Sequence, residues 1–205
     1  PILCLCCQSA NLIVFQSATF LISHYVSPSG AAAYNTAYTY FGAIVIFNTM
    51  MLIPFSAAVT DAYVKGDYLW LRNSIKQINK VSIMLTLLSV IVLAISPIVF
   101  KFWIGDSLNI SWALRIAMTI YFVLNIWTVP YSSFISGVGK MQVAMTSAIF
   151  KMILYIPVAI FMVKTLGTPG IMLSIILVNT LPNNILYTIQ YNKIVNRTAK
   201  GIWNK

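Results

Sequence analysis

The chain has 205 residues, of which 60% are hydrophobic and only 8% charged, with a mean hydropathy of +0.86. A soluble domain carries roughly a quarter charged residues, so a water-soluble fold would leave apolar surface uncovered. Thirteen Lys and Arg oppose three Asp and no Glu, for a net charge of +10. The cations are scattered between greasy runs. They are topology signals rather than a nucleic-acid footprint, and the expected class is an all-α polytopic membrane protein.

About 20 apolar residues cross the roughly 30 Å hydrocarbon layer. Six such runs are predicted, at 2–23, 32–58, 81–103, 111–136, 141–164 and 170–191. The first opens directly on Pro1-Ile2-Leu3, with no Met and no basic leader or cleavage site. It is expected to be a span, and the chain the later portion of a longer one whose N-terminal bundle is missing. Cys4, Cys6 and Cys7 lie in this run. A soft-metal site is one reading, but no His, Asp or second Cys pair accompanies them, and small apolar packing is the expected role. No metal or other cofactor is expected. On a helical wheel Gln8, Asn11, Gln16, Thr19 and Ser23 share one side, and His24 marks the outer boundary.

Span two follows Ser27-Pro28-Ser29-Gly30 and brings Tyr34, Asn35, Tyr38 and Thr39 into its outer half. The polar stretch 61–80 comes next. Asp67 is placed to cap a helix with Tyr68, Leu71, Ile75 and Ile78 on one face and Arg72, Lys76 and Lys80 on another. That pattern predicts an amphipathic helix on the inner surface, anchored by Trp70 against anionic membrane lipids. Span four carries Tyr121, Asn125, Thr128, Ser132 and Ser136 at three- or four-residue steps. Such stripes face neighbouring helices, as hydrogen-bonding glue, or a wet cavity. Asn109-Ile110-Ser111, before span four, matches a glycosylation acceptor.

Arg115 sits one turn inside span four, where its long side chain can reach the interface. Lys151 is different. It falls near the middle of span five, where an ammonium costs about 2.5–3.5 kcal/mol. Asp61, Asp67 and Asp106 all fall outside the spans, so no ion pair within this portion awaits Lys151. It needs water, a partner from the missing segment, or an anionic substrate. Five spans hold a proline, at Pro54, Pro97, Pro130, Pro157 and Pro182, a pattern suited to helices that bend between access states.

Nine cations fall in 61–80, 137–140 and the tail 192–205, against Lys101 and Lys164 on the other side. The positive-inside bias then places those loops, the basic tail 193–205 and the C-terminus in the cytoplasm. One His and no acidic pair supply neither a metal site nor an acid–base couple. Ser136–Met141 lacks the Gly and Ser/Thr of a Walker loop. No enzyme is expected.

The stretches Tyr34–Gly42 and Pro54–Tyr68, the run Phe102-Trp103-Ile104-Gly105, the end Gly137-Val138-Gly139-Lys140 and the close Gln190–Ile194 resemble bacterial polysaccharide flippases of the O-antigen (Wzx) type, in the MATE-like MOP superfamily. The resemblance implies a twelve-helix protein in two six-helix bundles, this chain being the second. It implies a bacterial inner-membrane transporter that turns an undecaprenyl-pyrophosphate-linked oligosaccharide outward by alternating access, with a coupling ion. On that basis Lys151 and Arg115 are expected to hold the pyrophosphate, and Gln8, Asn11, Gln16, Asn35, Tyr38 and Asn125 to line the substrate path. A multidrug or cation antiporter of the same superfamily, which would bury acids, is the alternative; a non-transporting membrane scaffold is the third reading.

Overall fold

The computed structural model describes residues 2–105, 108 and 110–204, and in the first helix the side chains from Val14 onward. Six long helices follow one another: α1 (Ile2–Tyr25), α2 (Pro28–Lys65), α3 (Tyr68–Trp103), α4 (Trp112–Val138), α5 (Gln142–Leu166) and α6 (Thr168–Val195). A 3₁₀ turn, Gly201–Asn204, closes the described chain. There is no strand among the described residues. The five helices α2–α6 are long and apolar enough to cross a bilayer, and large apolar side chains such as Phe47, Met84, Ile98 and Phe150 stand outward from them. This is a multi-pass membrane bundle.

Local sequence explains where the helices break. Ser27 accepts from the Gly30 amide and Pro28 opens α2, while Gly66 closes it in the left-handed region with φ 73°. Asp67 caps α3 through the Trp70 amide at 2.9 Å, as its spacing predicts. Gly139 ends α4 at φ 78°, a conformation that costs glycine nothing.

Two expectations about length change. The stretch 61–80 is not a separate surface helix: α2 runs on to Lys65 and α3 starts at Tyr68. Leu71 and Ile75 pack into a small core with Val59, Phe134 and Ile194, so tertiary burial extends both spans through the polar segment. At 1.5 Å per residue α2 and α3 are about 57 and 54 Å long, well beyond the hydrocarbon layer.

The prolines do not end their helices. Pro54, Pro97, Pro130 and Pro157 all lie inside continuous α-helix. A proline leaves the carbonyl four residues earlier without its donor; for Pro130 that is Ile126, and the buried Asn48 of α2 donates its amide to this oxygen at 3.3 Å. A neighbouring helix thus satisfies the freed group. The α5–α6 hairpin is equally specific. A Cβ at Gly170 would lie 2.1 Å from the Met162 carbonyl oxygen, so only glycine lets the two backbones approach this closely.

The basic loops meet at one end of the bundle. Lys140 lies over Tyr63, Arg197 over Tyr68 and Lys193 over Trp203, with 5.1, 4.4 and 4.0 Å to the ring centroids. Arg72 donates to Asn196, and the buried Gln190 donates to the Lys140 and Trp203 carbonyls. The tail is therefore folded back against the helix ends. Lys164, over Tyr25, marks the opposite end.

Candidate functional site

In α6 the α-helix opens into a π-helical turn at Ile176–Thr180, just before Pro182. Turns of this kind mark functional positions more often than ordinary helix does. Here the turn sets Asn179 and Asn183 against α5. The Asn183 amide donates to the Asn179 side-chain oxygen at 3.2 Å, and the Asn183 oxygen accepts from the Lys151 ammonium. Lys151 also donates to Ser147, one turn earlier on α5, at 3.1 Å.

Lys151 is 8% exposed, so its charge is held in the helix wall rather than snorkelled outward. Its own face of α5 is Ala144, Ser147 and Tyr155, all buried, while Ile149, Phe150 and Ile153 stand exposed on other sides.

In front of Asn183 lies a cleft of about 360 Å³ bounded by α1, α4, α5 and α6. Asn125, Ser132 and Ser136 of α4 line one side, Asn179, Asn183 and Tyr187 of α6 another, and Phe15 of α1 closes it. Asn125 donates to the Tyr121 carbonyl at 2.9 Å and Ser132 to Val129 at 3.2 Å. Asn125 keeps a second N–H and its side-chain oxygen, and Ser132 its acceptor lone pairs, so this wall presents both donors and acceptors. A ring wall bounds the cleft beside α2: Tyr38 packs on Phe15 at 4.9 Å, on Tyr121 at 6.2 Å and on Phe122 at 5.1 Å.

The expected site residues do not all converge. Asn125 lines the cleft, Lys151 backs it through Asn183, and Tyr38 stands in the ring wall behind it. Gln16 and Asn35 are exposed on the outer surface of α1 and α2, where Thr19 donates to Asn35 at 3.2 Å. Arg115 lies at the far end, donating to the Ile110 carbonyl at 3.0 Å with Phe100 and Trp112 about its guanidinium. Its contacts are those of a boundary residue. The side chains of Gln8, Asn11 and the three cysteines, together with Asp106 and Asn109, lie outside the described residues.

Asn179, Asn183 and Tyr187 went unrecognised in the sequence. Their four-residue steps along the last span are the same signal that singled out span four. Among the described residues no group of three His, Cys, Asp or Glu side chains is placed to hold a metal.

No protein-family model, curated protein or solved structure matches this chain. What the site offers is a cation in a protein wall, amide and hydroxyl oxygens, and aromatic faces, in a cleft within a membrane bundle. The ammonium favours an anionic or polar solute, while the rings and amide oxygens by themselves would accept a cation as well.

Proposed function

We propose that the chain is a transporter module that moves an anionic lipid-linked oligosaccharide across the bacterial inner membrane by alternating access. It would form the second six-helix bundle of a twelve-helix O-antigen-type flippase, with its C-terminus in the cytoplasm. The substrate is an undecaprenyl-pyrophosphate-linked glycan for surface polysaccharide. The single observation that supports this reading is the ammonium of Lys151, buried behind an asparagine-lined cleft on spans that carry no acid.

The chemistry runs as follows. A buried cation costs several kcal/mol unless solvated or paired. Ser147 and Asn183, both neutral, accept from the ammonium, and its field reaches the cleft that Asn183 lines. A pyrophosphate entering the cleft gains that field in a low-dielectric setting, while its sugars meet the amide oxygens and the rings. The outer stripe of Gln16, Asn35 and Thr39 would face the companion bundle across the central path. An exporter of organic cations would instead require buried carboxylates.

The test is surface glycan in cells that depend on the full-length protein. Lys151→Ala and Lys151→Gln are expected to abolish or strongly reduce it at unchanged protein abundance, and Lys151→Arg to retain part. Normal surface glycan with Lys151→Ala would refute the assignment. Restored resistance to cationic drugs would favour the antiporter.

A further inference from the structure

A second cavity lies away from Lys151, on the flank of the bundle where α2 and α3 run side by side toward their basic turn. It is a groove of about 340 Å³ between Met51, Leu52 and Phe55 of α2 and Trp70, Gln77 and Val81 of α3. Its wall is mostly apolar, with Ser74, Gln77 and the partly exposed Trp70 as polar handles.

Helix length fixes its depth. About 20 residues span the hydrocarbon layer. Counted from Pro28 and Trp103, at the opposite end, the boundary falls near Asn48 on α2 and near Ile83 on α3. Because the apolar run of α2 reaches on to residue 58, the groove lies across the edge of the hydrocarbon, with its end toward Trp70 at headgroup level. Met84 and Leu87 of α3, strongly exposed, continue from it into the bilayer as a lipid-facing ridge.

Charge is placed beside it. At 100° per residue Lys80 stands about 60° round α3 from Gln77, with Lys76 about 40° further, and both are exposed. The one ion pair among the described residues, Lys65 with Asp61, lies at the turn itself. An apolar slot across the edge of the hydrocarbon, flanked by two ammonium groups and opening toward acyl chains, matches one kind of molecule.

We propose that this groove is a binding site for an anionic phospholipid of the leaflet at the basic end. The phosphate sits against Lys76 and Lys80 with Ser74 beside it, the glycerol and ester groups meet Gln77, and the first part of an acyl chain packs on Met51 and Val81 before joining the ridge at Met84. The site stands whether or not Lys151 handles a transported substrate, because it shares no residue with that cleft.

Trp70 lies in the groove and supplies the readout. In the full chain Trp103, Trp112, Trp127 and Trp203 are replaced by Phe, and the protein is reconstituted in phosphatidylcholine vesicles. Phosphatidylglycerol or phosphatidylcholine brominated near the head of the acyl chain is then titrated in at equal mole fraction. Trp70 is expected to be quenched preferentially by the anionic lipid. Each of Lys76→Gln and Lys80→Gln should lower that preference about fivefold, the worth of one cation near a charged headgroup. Ala58→Leu, which fills the groove, should weaken quenching by the anionic lipid. Equal quenching by the two lipids, or a preference that survives both lysine substitutions, would overturn the site.

Discussion

A buried ammonium can be a staple or a tool, and the surroundings of Lys151 separate the two. Placing a lysine at mid-span costs about 2.5–3.5 kcal/mol. Hydrogen bonds from a charged donor return about 1.5–3 kcal/mol each, and Ser147 and Asn183 accept one apiece. Together they return about 3–6 kcal/mol, which offsets the cost. Lys151→Met keeps the methylenes and removes the charge, so it should change stability by less than about 1 kcal/mol, since a buried ion can be replaced by an apolar side chain of similar volume with little loss. Asn183→Ala should behave differently. It removes one acceptor and leaves the ammonium buried, for an expected loss of about 2–3 kcal/mol. In the double variant most of that loss should disappear, giving a coupling energy of about 2 kcal/mol. Denaturation of the solubilised protein in mixed micelles, followed by tryptophan emission, measures all three. If Lys151→Met destabilises as much as Asn183→Ala, the lysine is a structural staple and its assignment to transport fails.

Three further outcomes follow from the same geometry. Removing Leu177 should convert the π-turn of α6 to plain α-helix while Asn183 keeps its direction toward Lys151, because a π-turn takes up one extra residue, so surface glycan should persist at constant far-UV helicity. In a background without native cysteines, Asn179→Cys should react with a membrane-impermeant thiol reagent because water reaches the cleft. Ile153→Cys, on a lipid-facing side of α5, should stay unlabelled; equal labelling would mean that the cleft is dry. Asn48→Leu should leave the Ile126 carbonyl beside Pro130 unsatisfied and cost about 1–3 kcal/mol in the same denaturation assay.

Much of the fold was legible because a bilayer imposes simple rules on sequence. Span length, the caps at Ser27 and Asp67 and the left-handed glycines Gly66 and Gly139 are local signals, and each appears where the residues indicate. The prolines fall inside the spans, as expected, but what lets a helix run through one is not written beside it. Whether a proline breaks a helix depends on a donor from elsewhere, and nothing near Pro130 in sequence announces Asn48. The extent of α3 was hidden for a similar reason: residues 68–80 have surface composition, and only contacts with Phe134 and Ile194 turn them into the continuation of a span. At the site, periodicity found the stripe through Asn125. It treated the stripes as one path, however, because a helical wheel gives directions around each axis and not the arrangement of the axes. In three dimensions Asn125 turns into the cleft, whereas Asn35 turns outward on α2.

The way the tail is fastened has a consequence for behaviour in acid. Arg72, Lys140, Lys193 and Arg197 are held by aromatic faces and asparagine oxygens, and none of these partners takes up a proton as pH falls through about 4, where carboxylates lose their charge. A clasp made of carboxylates would loosen on such acidification. This one should stay shut, so the C-terminal segment would resist proteases equally well in neutral and mildly acidic buffer.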